Sequence, residues 1–115
     1  MGLKKENRLR HRADFLKAYA KGRAIGGRCF TVFVLDRGDE GSVRFGFTVT
    51  RRLGNAVVRN GMKRRLRASV REFVDGVRLG HDIVVNAKHP ALDLRGEKIG
   101  RDLREALEEA RVLNR

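Results

Sequence analysis

The stretch from Arg51 to Arg71, RRLGNAVVRNGMKRRLRASVR, decides how the rest of the chain is read. It holds eight Arg or Lys and no Asp or Glu. Gly54 and Asn55 give a turn signal, and Asn55 can accept from the free amides of a helix start. Beyond it Val58, Met62, Leu66 and Val70, then Phe73, recur at helical spacing, and so do Arg59, Lys63, Arg67 and Arg71. Residues four apart share a helix face. The spacing predicts a helix to about Asp75, closed near Gly76, that rests on a core with one stripe and can hold a polyanion with the other. Gly61 interrupts the pattern, because an interior glycine costs about 0.5–1 kcal/mol relative to alanine.

Working outward, Val43–Thr50 (VRFGFTVT) alternates as a strand, with Val43, Phe45, Phe47 and Val49 facing the core. Cys29–Leu35 (CFTVFVL) is β-branched and aromatic, with Phe30, Val32 and Val34 on one face and Thr31 and Phe33 on the other. Asp36–Ser42 is a turn, so these two strands are expected to pair as an antiparallel hairpin. Asp82–Ala87 (DIVVNA) is a third strand. It follows the basic helix, which makes a βαβ unit whose two strands can be parallel. Arg12–Lys21 reads as a short helix ended by Gly22, with Phe15 and Tyr19 on one face. A last helix, about Arg95 to Leu113 with Asp93 as its cap, buries Ile99, Leu103, Leu107 and Ala110 and mixes charges on its outer face. Residues 1–11 are polar and basic and read as an extended or loosely ordered arm.

Length bounds this to one domain, residues 1–115. The net charge of +13 is not spread evenly: residues 1–72 carry 19 Lys/Arg against 6 Asp/Glu, and residues 73–115 carry 8 of each. A localised excess of this size is the footprint of a nucleic-acid partner. No apolar run reaches the roughly 20 residues of a membrane span, and the start MGLKKENRLRHR has no apolar signal segment, so no membrane partner and a cytoplasmic location are expected. Cys29 is the only cysteine, and with three scattered histidines it offers no metal-ligand spacing. No catalytic constellation stands out. A metal-dependent nuclease needs clustered carboxylates, and the basic stretch has none. What the residues do supply is a binding surface: cations for phosphates and aromatics for unpaired bases. If Phe15, Tyr19 and Phe33 stand near the basic helix, the groove between them suits a single strand. A general basic RNA-binding or ribosome-associated protein is the alternative on these grounds.

The motif GNAVVRN (Gly54–Asn60) followed by KRRLR (Lys63–Arg67) resembles the signature of the bacterial ribonuclease P protein subunit. The similarity extends through RLRHRADFLKAYAKGR, both early strands and DIVVNAKHPA, in the family's order. It implies a compact α+β fold of order αβββαβα with a four-stranded sheet, a further short strand near Arg23 to Gly26, and a left-handed βαβ crossover. It also implies a function. A catalytic RNA with bound Mg²⁺ removes the 5′ leader of precursor tRNA, while the protein, inactive alone, binds that RNA and the leader. By the resemblance Arg59, Asn60, Lys63, Arg64 and Arg67 contact the catalytic RNA, and Arg71 extends their stripe. Phe15, Tyr19 and Phe33 match the leader cleft, with Arg51, Arg52 and Lys88 at positions that are usually basic. Protein-bound metal is not implied. One departure is Gly61, which stands at the third position of the signature, where the family's Arg-Asn-Arg has its second arginine.

Overall fold

The computed structural model describes residues 3–114. Helix α1 spans Arg12–Lys21, followed by strands β1 (Arg23–Gly26), β2 (Phe30–Asp36) and β3 (Arg44–Thr48), helix α2 (Ala56–Arg71), strand β4 (His81–Ala87) and helix α3 (Glu97–Glu109). The fold is α+β with the expected αβββαβα order, and its four-stranded sheet is mixed, in the order β1-β2-β4-β3.

That order corrects one expectation. β2 and β3 do not form a hairpin, because β4 lies between them, antiparallel to β2 and parallel to β3. The reason lies in β4 itself. Ile83, Val84 and Val85 are all buried to 1% exposure or less, so both faces of the strand are apolar. Such a strand is stabilised in the middle of a sheet with both faces covered, and β3 is displaced to the edge. The parallel β3–α2–β4 unit is as expected.

The two faces of the sheet differ. On one, Val32, Val34, Phe45, Ile83 and Val85 meet Met62, Leu66 and Val70 of α2 and Ile99, Leu103 and Leu107 of α3. On the other, Phe33, Leu35 and Val84 meet Leu9 and the α1 residues Phe15, Ala18 and Tyr19. Gly46 of β3 makes this second contact possible. A Cβ there would stand 2.5 Å from Phe15 Cζ and 2.6 Å from Cε2, so only glycine lets the ring approach the strand this closely.

α2 begins as its sequence dictates, with the Asn55 side chain accepting from the Val58 amide at 3.0 Å. It ends earlier than expected, at Arg71, and a separate 3₁₀ turn covers Val74–Gly76. Val74 and Val77 are both buried, and a tighter turn aims them at the core. Val58 leaves the expected buried stripe at 38% exposure, with its side chain against the Gly54 turn instead of the sheet. α3 starts at Glu97 after Gly96, which makes no side-chain cap, and Asp93 closes a 3₁₀ turn, His89–Asp93. The N-terminal segment is not the loosely ordered arm expected: Leu3 and Leu9 are buried, a 3₁₀ turn covers Lys5–Asn7, and the Leu9 amide donates to the Phe45 carbonyl at 2.9 Å. Met1, Gly2 and Arg115 lie outside the described residues.

Candidate nucleic-acid interface

α2 can turn a basic face outward because its inner stripe is fully used, with Met62, Leu66 and Val70 at 0% exposure. Burying such side chains contributes about 1.5–3 kcal/mol each, enough to hold the helix in place against the mutual repulsion of its cations. Arg59, Lys63, Arg64 and Arg67 make no ion pair among the described residues. Asn60 is exposed beside them, and Arg71 closes the helix on the exposed side. Arg65 differs from these. Its guanidinium donates to the Leu94 carbonyl at 3.2 Å and lies 3.8 Å from Met62 Sδ, fastening α2 to the segment before α3. The Nε of Arg59 is shielded from solvent and has no hydrogen-bond partner among the described residues.

Other cations are committed to structure. Asp82, 2% exposed, accepts from Arg37 Nη1 at 2.6 Å and from Arg44 Nε and Nη2 at 2.8 and 2.7 Å. Arg44 also lies 3.7 Å from Asp14 and so ties the start of α1 to the sheet. Its hydrogen bonds to Asp82 push its pKa further above the usual arginine value, so it stays charged throughout. These two arginines spend their charge on carboxylates of the fold.

The aromatic residues are placed differently from expectation. Phe15, Tyr19 and Phe33 lie on the α1 side of the sheet, opposite the face that carries α2. Alternation along the strands decides this: Phe33 pairs across to Val84, while Val32 and Val34 pair to Val85 and Ile83 on the other face. Only Phe15 reaches a groove shared with the basic helix. That groove runs along the β3 edge and is lined by Phe15 and Phe47, by Arg8 and Arg10 of the N-terminal segment, and by Lys63 and Arg67 of α2. Tyr19 and Phe33 continue the aromatic line farther under α1, edge to face with ring centroids 4.9 Å apart. The Tyr19 hydroxyl meets Thr48 Oγ1 at 2.8 Å and donates to Asn86 Oδ1 at 3.0 Å. Thr31, Asn86 and Thr48 form one half-buried polar row across β2, β4 and β3.

At that end of the sheet stand the remaining expected residues. Arg51 and Arg52 are exposed in a 3₁₀ turn, Arg51–Leu53, and the Arg52 carbonyl accepts from His89 Nε2 at 3.1 Å. Lys88 donates through Nζ to the Gly27 carbonyl at 2.6 Å, which holds it against the β1–β2 connection. Sequence reasoning missed Thr48, Asn86, Gly46, Arg8 and Arg10. Gly46 carried a usable signal, since glycine inside a strand marks a close approach. Thr48 is out of phase with Phe45, Phe47 and Val49, and it faces the other side of the sheet, where it meets Tyr19 of α1.

No helix among the described residues is long and apolar enough to cross a membrane. The ribonuclease P family profile matches residues 3–111. The ribonuclease P protein component of Symbiobacterium thermophilum is 42% identical over 113 residues, covering 98% of each chain. The structure of the Staphylococcus aureus ribonuclease P protein superposes with a TM-score of 0.84 at 34% identity, over 96% of this chain and 100% of that one. The Thermotoga maritima protein does so with a TM-score of 0.79 at 28% identity, over 89% and 96%. The outward cations, the groove beside them and these likenesses agree: the chain belongs to the ribonuclease P protein family, as the protein subunit, partnered by a ribonuclease P RNA, of the ribonucleoprotein endoribonuclease that matures tRNA 5′ ends.

Proposed function

We propose that this subunit holds two RNAs on two connected surfaces. The catalytic RNA lies on the outward face of α2, against Arg59, Asn60, Lys63, Arg64 and Arg67, with Arg71 at the end. The 5′ leader of precursor tRNA enters at the β3 edge and runs alongside α1, past the half-buried Phe15, Tyr19 and Phe33, toward Lys88, Arg51 and Arg52. The observation that carries this reading is the groove itself, where Phe15 from one sheet face and Lys63 and Arg67 from the other line one channel. A single strand needs that combination, rings for its bases and cations for its phosphates. Arg59 supports the α2 assignment, because its guanidinium makes no ion pair with the described residues and its charge is left for an outside anion. In this reading Mg²⁺ is bound mainly by the RNA, which performs the cleavage, and the protein alone cuts nothing. The work is done in the cytoplasm, where the transcripts are made.

The test compares a precursor tRNA carrying a leader with mature tRNA, each bound by holoenzyme assembled with a bacterial ribonuclease P RNA at low Mg²⁺. The leader should add affinity only when the protein is present, and Phe15→Ala should remove most of that gain, roughly tenfold for one lost stacking contact. Equal losses for both tRNAs would show Phe15 to be a packing residue only. No stimulation of cleavage by the protein would overturn the reading as a whole.

A further inference from the structure

Gly61 sits within the first turns of α2, where a glycine weakens a helix. Two usual reasons for it are absent. Its φ is not positive, and a Cβ built there would meet nothing closer than the Arg64 Nη2 atom at 3.8 Å, an ordinary contact distance. Side chains on a helix lean toward its N-terminus and cover the turn before their own Cα, so Arg64 lies back over the bare backbone at position 61. Its neighbour Arg65 cannot take that place, being fastened to Leu94 and Met62.

We infer that Gly61 is a positioning residue: it leaves open the patch of helix surface on which the Arg64 guanidinium rests, and so fixes where Arg64 presents its charge to the RNA backbone. A methyl group at position 61 is tolerated beside the guanidinium, whereas a longer side chain occupies the patch and displaces Arg64 from it. The ligand is the phosphodiester backbone of the catalytic RNA. This inference rests on the reading of α2 as the surface for that RNA.

The test measures binding of a bacterial ribonuclease P RNA as a function of salt for the wild type, Arg64→Ala, Gly61→Leu and the double variant. A lost phosphate contact lowers the slope of log K against log salt by about 0.7 to 0.9. Arg64→Ala and Gly61→Leu should each lower it by that amount, with a several-fold loss of affinity, and the double variant should match the singles. Melting temperature serves as the fold control, and leucine, the better helix former, should not lower it. A wild-type slope in Gly61→Leu, or losses that multiply in the double variant, would overturn the inference. Lys63→Ala with Arg67→Ala separates the two levels. If that pair lowers the slope while Gly61→Leu does not, only the role of Gly61 falls. If the pair leaves it unchanged, the reading of α2 falls with it.

Discussion

Helices α2 and α3 have the same structural task and opposite outer faces. Each lays three side chains on the same sheet face, Met62, Leu66 and Val70 from one and Ile99, Leu103 and Leu107 from the other, all at 2% exposure or less. α2 carries six cations and no acid, whereas α3 carries three cations and five acids. Packing therefore does not determine the outer charge. A helix that only packs can mix signs outside and lower its own repulsion, as α3 does. The uniform sign on α2 raises repulsion in the free protein, and a polyanion relieves it.

Three changes test how far that comparison goes. The largest effect belongs to the shared inner task. Leu66→Ala and Leu103→Ala should each cost about 2–5 kcal/mol in urea unfolding, because both empty a fully buried site. A large cost at one and little at the other would break the equivalence of the two helices. A smaller effect comes from the opposite sheet face, where α1 takes the place of α2 and α3. Gly46→Ala forces a Cβ against the Phe15 ring, and overpacking of this kind costs about 1–3 kcal/mol. It should also weaken binding of leader-bearing tRNA, since the displaced ring lines the groove. Unchanged stability would mean that α1 is held loosely on that face.

The smallest effect concerns the acidic flank of α3. Burial pushes the Cys29 thiol above its ordinary pKa, and Asp102 adds to the shift. Protonated thiol is the favoured folded form, so this contribution to stability is present below the ordinary thiol pKa and is lost as pH rises through the raised value. Native Cys29 should react with iodoacetamide more slowly than the unfolded chain, and Asp102→Asn should speed it modestly. No change in rate would place the acids of α3 too far away to act even on a neighbour.

Much of the fold was legible because it is locally encoded. The buried stripe of α2, the Asn55 cap, the alternation in β2 and the span of α1 all depend on residues a few positions apart. What failed depended on partners far along the chain. No residue in β2 or β3 states that β4 will separate them; the signal was in β4, whose apolar residues fill both faces. Leu3 and Leu9 are single apolar residues in a basic segment, without period, and only the β3 edge gives them a place to bury. For the site, the cations of α2 were legible as a stripe without acids. That Phe15, and not Tyr19 or Phe33, would share a groove with Lys63 and Arg67 was not, because it depends on which sheet face α1 covers. The engagement of Lys88 with Gly27 was equally invisible, since it joins residues 61 apart.

The central claim is that the outer face of α2 is a phosphate-binding surface and that of α3 is not. Its most direct test is the salt dependence of binding to a bacterial ribonuclease P RNA for two matched pairs of changes. Lys63→Ala with Arg67→Ala should lower the slope of log K against log salt by about 1.4 to 1.8, or about 0.7 to 0.9 for each lost phosphate contact. Arg101→Ala with Arg104→Ala, which removes equal charge from the exposed side of α3, should leave it within error of the wild type. Equal falls for both pairs would mean that the RNA senses only net charge, and an unchanged slope for the α2 pair would contradict the account.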